Sequence, residues 1–161
     1  MLEYWLYRSR SVATPRSIDD AMIYLQACNR NPAHGITGYL HREDRCYAQY
    51  IEGPAASLRK LHRQILGDCR HRDIETLAAG KAGGRRFAGW DMAFSTEEMA
   101  SFADFRKRPD RTEALRHASP SDVLDFMADT ALRYEASGLA PNRPHETRDT
   151  ARAALSEIDD L

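Results

Sequence analysis

The chain predicts an α+β fold in which strand, helix, strand, strand, helix, strand and strand build a five-stranded mixed sheet with both helices on one face. Three observations carry this expectation. Short segments alternate apolar residues with others at a period of two. Two longer segments repeat apolar residues at helical spacing. Gly, Pro and Asn stand at the joints between them.

Residues 2–9, Leu-Glu-Tyr-Trp-Leu-Tyr-Arg-Ser, read as a first strand rich in aromatics. Leu2, Tyr4 and Leu6 share one face, Trp5 and Tyr7 the other, so the strand can lie centrally in a covered sheet. Residues 11–16, with Pro15, are loop. Ser17-Ile18-Asp19-Asp20 has the shape of a capping box, with Asp in place of the usual Glu. Ile18, Ala21, Met22, Leu25 and Cys28 then mark the apolar stripe of a helix. Ile23 lies partly off that stripe, either as a surface residue or as a widening of the apolar side towards a ligand. Pro32 stops the helix near Asn31, which leaves Arg30 and Asn31 to cap the helix end or reach outward.

Gly35 opens a second extended stretch, residues 36–40, and Glu43-Asp44 suits the hairpin turn into residues 45–54. On that third strand Tyr47, Gln49 and Ile51 point one way, Cys46, Ala48 and Tyr50 the other. Gln49 is the odd member of its face, because a buried amide needs partners for its donors and its acceptor. Leu58, Leu61, Ile65 and Leu66 form a second amphipathic helix ending near Gly67-Asp68. Residues 69–73 are a polar connection, 74–79 a modest strand, and 83–86 a turn. Phe87 to Phe94 is the last strand, with Trp90, Met92 and Phe94 on one face. The first six elements are the βαββαβ ferredoxin-like arrangement, and the seventh extends it to βαββαββ.

Beyond residue 95 the chain reads as a helical extension. Ser95-Thr96-Glu97-Glu98 looks like a capping box opening a short helix to Arg106, and Ser119-Pro120-Ser121-Asp122 like another helix start. Val123, Leu124, Met127, Ala131, Leu132 and Tyr134 recur helically up to Gly138. The charged stretch after Pro144 is a marginal helix or a frayed tail.

Composition excludes several classes. The 23 basic residues nearly cancel the 24 acidic ones, which gives no reason to expect nucleic acid or an anionic membrane as partner. No apolar run approaches the ~20 residues a membrane helix needs, and Met1 to Trp5 lacks the start of a signal peptide. Three scattered cysteines without a Cys-x-x-Cys suit free thiols in a reducing cytoplasm. The six histidines do not cluster at metal-ligand spacing, and no phosphate-binding glycine loop or nucleophile elbow is present. Chemistry would then come from a bound cofactor.

Five blocks stand in order along the chain. They are Leu6-Tyr7-Arg8-Ser9, Asn31 ahead of Gly35-Ile36-Thr37-Gly38, Gln49-Tyr50-Ile51-Glu52-Gly53-Pro54, Asp68-Cys69-Arg70-His71, and Trp90-Asp91-Met92-Ala93-Phe94. Together they resemble a BLUF domain, the blue-light sensor that uses flavin adenine dinucleotide (FAD). The resemblance implies the same ferredoxin-like fold, FAD held non-covalently between the two helices, and a sensor rather than an enzyme. It implies Tyr7 as the photo-oxidised tyrosine and Gln49 as the switching glutamine. Asn31 matches the amide at the flavin ring edge, and Ile23 and Ile65 the aliphatic residues flanking the ring. Arg30, Asp68, Arg70 and His71 match positions that contact the ring edge, ribityl chain or phosphates in some members. Trp90 and Met92 match residues that carry the signal outward. Three departures stand out: Cys69 where Pro is common, Gln64 where Arg is frequent, and Tyr47 in place of Phe. Tyr47 could compete with Tyr7 as electron donor.

The implied mechanism is electron and proton transfer from Tyr7 through Gln49, recombination, and a Gln49 left rotated or tautomerised with a new hydrogen bond to the flavin C4 carbonyl. Residues 1–95 are then the flavin-binding photosensor domain, and 96–161 a helical extension for output or oligomerisation. The expected assembly is a homo-oligomer that signals to a separate protein partner. The alternative is a light-independent ferredoxin-like interaction domain that has lost flavin. A flavin redox enzyme would need a group positioned for substrate, and the sequence shows none.

Overall fold

In the computed structural model, residues 1–15, 17–107 and 114–138 are described. The expected helix or tail beyond Gly138 lies outside the described residues. Strand β1 (Leu2–Ser11) leads into helix α1 (Ile18–Arg30) and a 3-10 turn, Pro32–His34. Strands β2 (Thr37–Glu43) and β3 (Cys46–Pro54) form a hairpin, followed by α2 (Ala55–Leu66), β4 (His71–Ala82) and β5 (Ala93–Thr96). A short helix α3 (Phe102–Phe105) and a long one, α4 (Pro120–Ser137), follow. The sheet order is β4-β1-β3-β2-β5. Every pairing is antiparallel except β2 with β5, which is parallel. This is the expected ferredoxin-like sheet with one strand added.

The period-two alternation of β1 and β3 divides two cores. Trp5, Tyr7, Tyr47 and Ile51 pack with Ile23 of α1 and Leu58 of α2 on one face. Leu6, Ala48, Tyr39 and Tyr50 pack on the other face with Phe102, Leu115, Val123, Phe126 and Met127. The helices after β5 therefore cover the sheet face opposite α1 and α2. Two glycines in the Gly35-Ile36-Thr37-Gly38 block have physical reasons. Gly35 has φ +65°, a conformation that side chains resist, and a Cβ on Gly38 would lie 2.1 Å from the Tyr50 carbonyl oxygen.

Several expectations need correction. The buried side of α1 is Ile23, with Tyr24, Ala27 and Cys28 half-buried, whereas Ile18 and Ala21 are exposed. The helix is turned because Tyr24 stacks on Phe94 and Asp20 pairs with Arg42. His71 to Asp73 belong to β4 rather than to a loop, since that strand follows β1 to its end. Phe87 to Met92 is not strand. The Glu52 carboxylate accepts the Arg86 and Phe87 amides at 2.8 and 2.7 Å, so the chain coils around it instead of pairing. Only Ala93–Thr96 joins β2, and the parity of residues 90 to 94 is broken. Trp90 packs on the α4 side, Met92 and Phe94 on the α1 side. Ser95 is no helix cap, because its hydroxyl lies buried between Tyr39 and His41. Ser101 caps α3 instead. On α4, the Ser119 cap and Gly138 stop stand as expected, but Leu132 is 65% exposed and Phe126 takes its place in the core.

Candidate functional site

Between α1 and α2 a cleft of about 590 Å³ opens onto the sheet. Its floor is set by strand register. Tyr7 and Gln49 are direct partners across β1 and β3, on the face their alternation predicts. The Tyr7 hydroxyl donates to Gln49 Oε1, and Gln49 Nε2 donates to Met92 Sδ at 3.5 Å. Both members are buried, and burial pushes the Tyr7 phenol well above its ordinary pKa, helped by the nearby Asp68 and Tyr47. A phenolate is therefore disfavoured here, and the phenolic proton has one acceptor in place, the Gln49 amide.

Asn31 enters from the end of α1, where Pro32 turns the chain. It is 2% exposed, lines the cleft, and its Nδ2 has no hydrogen-bond partner in the described structure. A buried amide donor without a partner costs about 1–3 kcal/mol, so this position awaits an acceptor. Ile23 and Ile65 form the two side walls, one from each helix.

At the outer end, Arg70 is already engaged. Its guanidinium donates to Asp68 at 2.6 to 3.1 Å and to Gln26 Oε1 at 2.8 Å, so it ties the α2–β4 turn to α1. That hydrogen bonding holds the Asp68 carboxyl below its usual range despite partial burial. His71 Nδ1 meets Ser9 Oγ at 2.9 Å, and burial lowers its pKa against the pull of Asp68. Arg30 lies at the exposed rim. Tyr47 lies on the same core face, but its hydroxyl donates to Asp20, away from Gln49.

Every residue singled out as a flavin contact lines this one cleft: Tyr7, Ile23, Arg30, Asn31, Gln49, Ile65, Asp68, Arg70 and His71. Met92 reaches it through Gln49, and Trp90 does not. The Trp90 indole donates to Glu135 of α4 at 3.0 Å on the reverse face. Sequence reasoning missed Gln26, His34 and Lys60, which also line the cleft. Helical spacing from Ile23 and Arg30 points to Gln26, but nothing in the sequence singles out His34 or Lys60. A second cavity, of about 610 Å³, is lined by ion-pairing side chains such as Arg8 and Glu75. It contains none of these residues.

The cleft fits a flavin. It has aliphatic walls, one amide without a partner among the described residues and a second, hydrogen-bonded amide at its inner end, and cationic groups at its rim, the mix expected of a cofactor site. Among the described residues, no group of three or more His, Cys, Asp or Glu could hold a metal.

Comparisons with known proteins agree with this reading. The BLUF family model, described as sensors of blue-light using FAD, matches residues 2–93. A photoactivated adenylate cyclase subunit alpha-like protein of Euglena gracilis is 32% identical over 84% of this chain. The subunit beta of a photoactivated adenylate cyclase from the same organism is 28% identical over 84%. The chain spans only 13% and 16% of the length of these two relatives. Among solved structures, the dark state of BlrB, a BLUF protein, has a TM-score of 0.66 and 29% identity, covering 80% of this chain and 93% of that one. Klebsiella pneumoniae BlrP1, solved with FMN and cyclic diGMP, has a TM-score of 0.58 and 29% identity over 86% of this chain and 35% of that one. The pattern that matches spans the same residues that build the cleft, and the chain belongs to the BLUF family, the sensors of blue light that use FAD.

Proposed function

We propose that this protein senses blue light through a hydrogen-bond switch at Tyr7 and Gln49 and hands the change to α4 for a separate protein partner. The observation that carries the reading is the chain from Tyr7 through Gln49 to Met92 at the inner end of the cleft. The bound flavin supplies a strong one-electron oxidant when it absorbs blue light. Tyr7 is the donor. Its burial keeps the phenol protonated at rest, and once the electron has left, the strongly acidic phenol radical cation can give its proton to Gln49 Oε1, which already accepts from it. The electron and one proton then return to Tyr7, which is restored as a neutral phenol, and Gln49 is left with its amide turned or tautomerised. A turned amide presents an oxygen, not an N–H, to Met92 Sδ and removes that contact. One changed hydrogen bond is worth about 1 kcal/mol, enough to bias a balanced element without unfolding it.

From Met92 the change crosses the sheet within the chain itself. Trp90, two residues earlier, faces α4 and is bonded to Glu135 there. Residues 1–95 serve as the photosensor and the rest as output, with the protein working as a homo-oligomer. The partner is a separate effector, parallel to the cyclase named in the Euglena relatives. Among the described residues no helix is long and apolar enough to cross a membrane, and the three cysteines form no disulfide; we place the protein in the cytoplasm.

An absorption spectrum of the FAD-loaded protein before and just after blue light tests the reading. The expected result is a small red shift that relaxes in darkness. Simple bleaching would favour redox turnover, and a protein that takes up no FAD would favour the light-independent interaction domain.

A further inference from the structure

We propose that Trp5 is a second electron donor, stacked beneath Tyr7, that diverts part of the photo-oxidation away from the Gln49 switch. The proposal rests on Tyr7 being the photochemical donor. Trp5 and Tyr7 lie two residues apart on the same face of β1, and their rings stack at 4.1 Å with planes 21° apart. That is closer than most aromatic pairs, whose centroids lie about 4.5–7 Å apart. Both side chains are almost fully buried, Trp5 at 4% and Tyr7 at 1% exposure, so no water separates their π-faces. The indole is held in place by a 2.9 Å hydrogen bond from Nε1 to Thr76 Oγ1 and by the ring of His62 set edge-on at 4.1 Å.

The chemistry sets two routes in competition. An indole gives up an electron more readily than a phenol that keeps its proton, and less readily than one that has lost it. After Tyr7 gives one electron to the excited flavin, its proton either passes to Gln49 or stays on the phenol. While the proton stays, one electron moves from Trp5 to Tyr7. Tyr7 is restored as a neutral phenol and Trp5 is left one electron short, as a cation balanced by the electron now on the flavin. Return of that electron to Trp5 closes the loop with no bond made or broken and no proton delivered to Gln49. The stack thus lowers the yield of switching per absorbed photon.

The sequence makes the test clean, because the chain has only two tryptophans and Trp90 lies on the reverse face. Transient absorption of FAD-loaded wild type, Trp5→Phe and Trp90→Phe would follow the visible band of an oxidised indole, alongside the yield of the red-shifted state. The expected result is an indole band in wild type and Trp90→Phe, its loss in Trp5→Phe, and a higher red-shift yield in Trp5→Phe. If Trp5→Phe does not fold, wild type and Trp90→Phe still decide, since Trp5 is then the only tryptophan left in the variant. No indole band in either of these, with the red shift intact, overturns the role of Trp5 and leaves the Tyr7 reading standing. An indole band lost in Trp90→Phe assigns the donor to Trp90 and overturns the proposal. No red shift in any protein defeats the Tyr7 reading, and this inference with it.

Discussion

Gln49 holds two different partners with the two ends of one amide, a phenol on its oxygen and a thioether on its nitrogen. Few other side chains offer a donor and an acceptor at the same distance along one strand position, and the proposed switch uses both. Replacing Gln49 with Leu removes both roles at similar volume. FAD should remain bound while the light-induced red shift disappears, and a normal photocycle in that variant would refute the switch. Asn31 differs in that its buried Nδ2 has no hydrogen-bond partner among the described residues, and we propose that the cofactor supplies the acceptor. Asn31→Ala should weaken FAD binding by about 1 kcal/mol, or roughly fivefold in Kd, the worth of one hydrogen bond. Titration of the apoprotein reads this directly, and an unchanged Kd would show that Asn31 faces no flavin group.

At the scale of elements, the segment from Arg85 to Met92 places Trp90 on one sheet face and Met92 on the other. Glu52 is fully buried and gathers the Arg86 and Phe87 amides, the Thr37 hydroxyl at 3.2 Å and the Tyr50 hydroxyl at 3.3 Å. Its carboxylate therefore sets where Trp90 and Met92 sit, without touching the cleft. Glu52→Gln puts an N–H₂ donor where donors already converge. The expected cost is about 1–3 kcal/mol, visible as a lower urea midpoint at unchanged m-value. Equal stability would mean that the segment is held by its apolar contacts alone. Arg8 is a second link between the faces. It follows Tyr7 in β1, and its guanidinium reaches the Ala118 carbonyl at 2.8 Å, just before the Ser119 cap of α4.

For the molecule as a whole, α3 and α4 complete a three-layer packing of helices, sheet and helices. Phe102, Leu115, Val123, Phe126 and Met127 cover Leu6, Tyr39, Tyr50 and Phe87. Ending the chain after Thr96 would expose that apolar face, so the truncated protein should aggregate or bind a hydrophobic dye, even though the flavin cleft is intact. A soluble, dye-negative fragment would show that the sensor stands alone. Beneath the same layer, His41 lies buried between Ser95 Oγ at 2.8 Å and Glu43 Oε2 at 3.1 Å, against the ring of Phe126. Burial lowers the His41 pKa, opposed by Glu43 and the more distant Glu97. Burial would raise Glu43, but hydrogen bonds from His41 and from the Phe102 amide outweigh it and leave its pKa below the usual carboxylate range. Burial lowers His71 in the same way. For the two histidines the folded pKa lies under the unfolded one, so below about pH 6.5 the unfolded chain binds protons first and stability falls. Glu43 adds to the same trend only below its ordinary 4.5. The melting temperature of the apoprotein should drop as pH goes from 7 through 6.5 and lower, with a shallower slope in His41→Gln. A melting temperature that rises towards acid would contradict these burial effects.

The residue pattern alone determined the order of the first six elements along the chain, the face on which Gln49 lies, and the blocks that mark the family. Those features are local: alternation, helical spacing, caps and glycines act over a few residues and survive any packing. The direction of α1 was not legible, because its apolar residues cover more than one side and only the contacts of Tyr24 and Asp20 select Ile23 as the buried one. Likewise, Trp90 and Met92 look alike in a period-two reading. Only Glu52, 38 and more residues earlier in the chain, coils the segment and sends the two side chains to opposite faces. The stack of Trp5 on Tyr7 joins these decisions: alternation places both rings on one face, but their 4.1 Å approach depends on Thr76 and His62, brought in from a strand and a helix far along the chain. Long-range contacts of this kind leave no periodic trace in a sequence, and only the folded structure settles them.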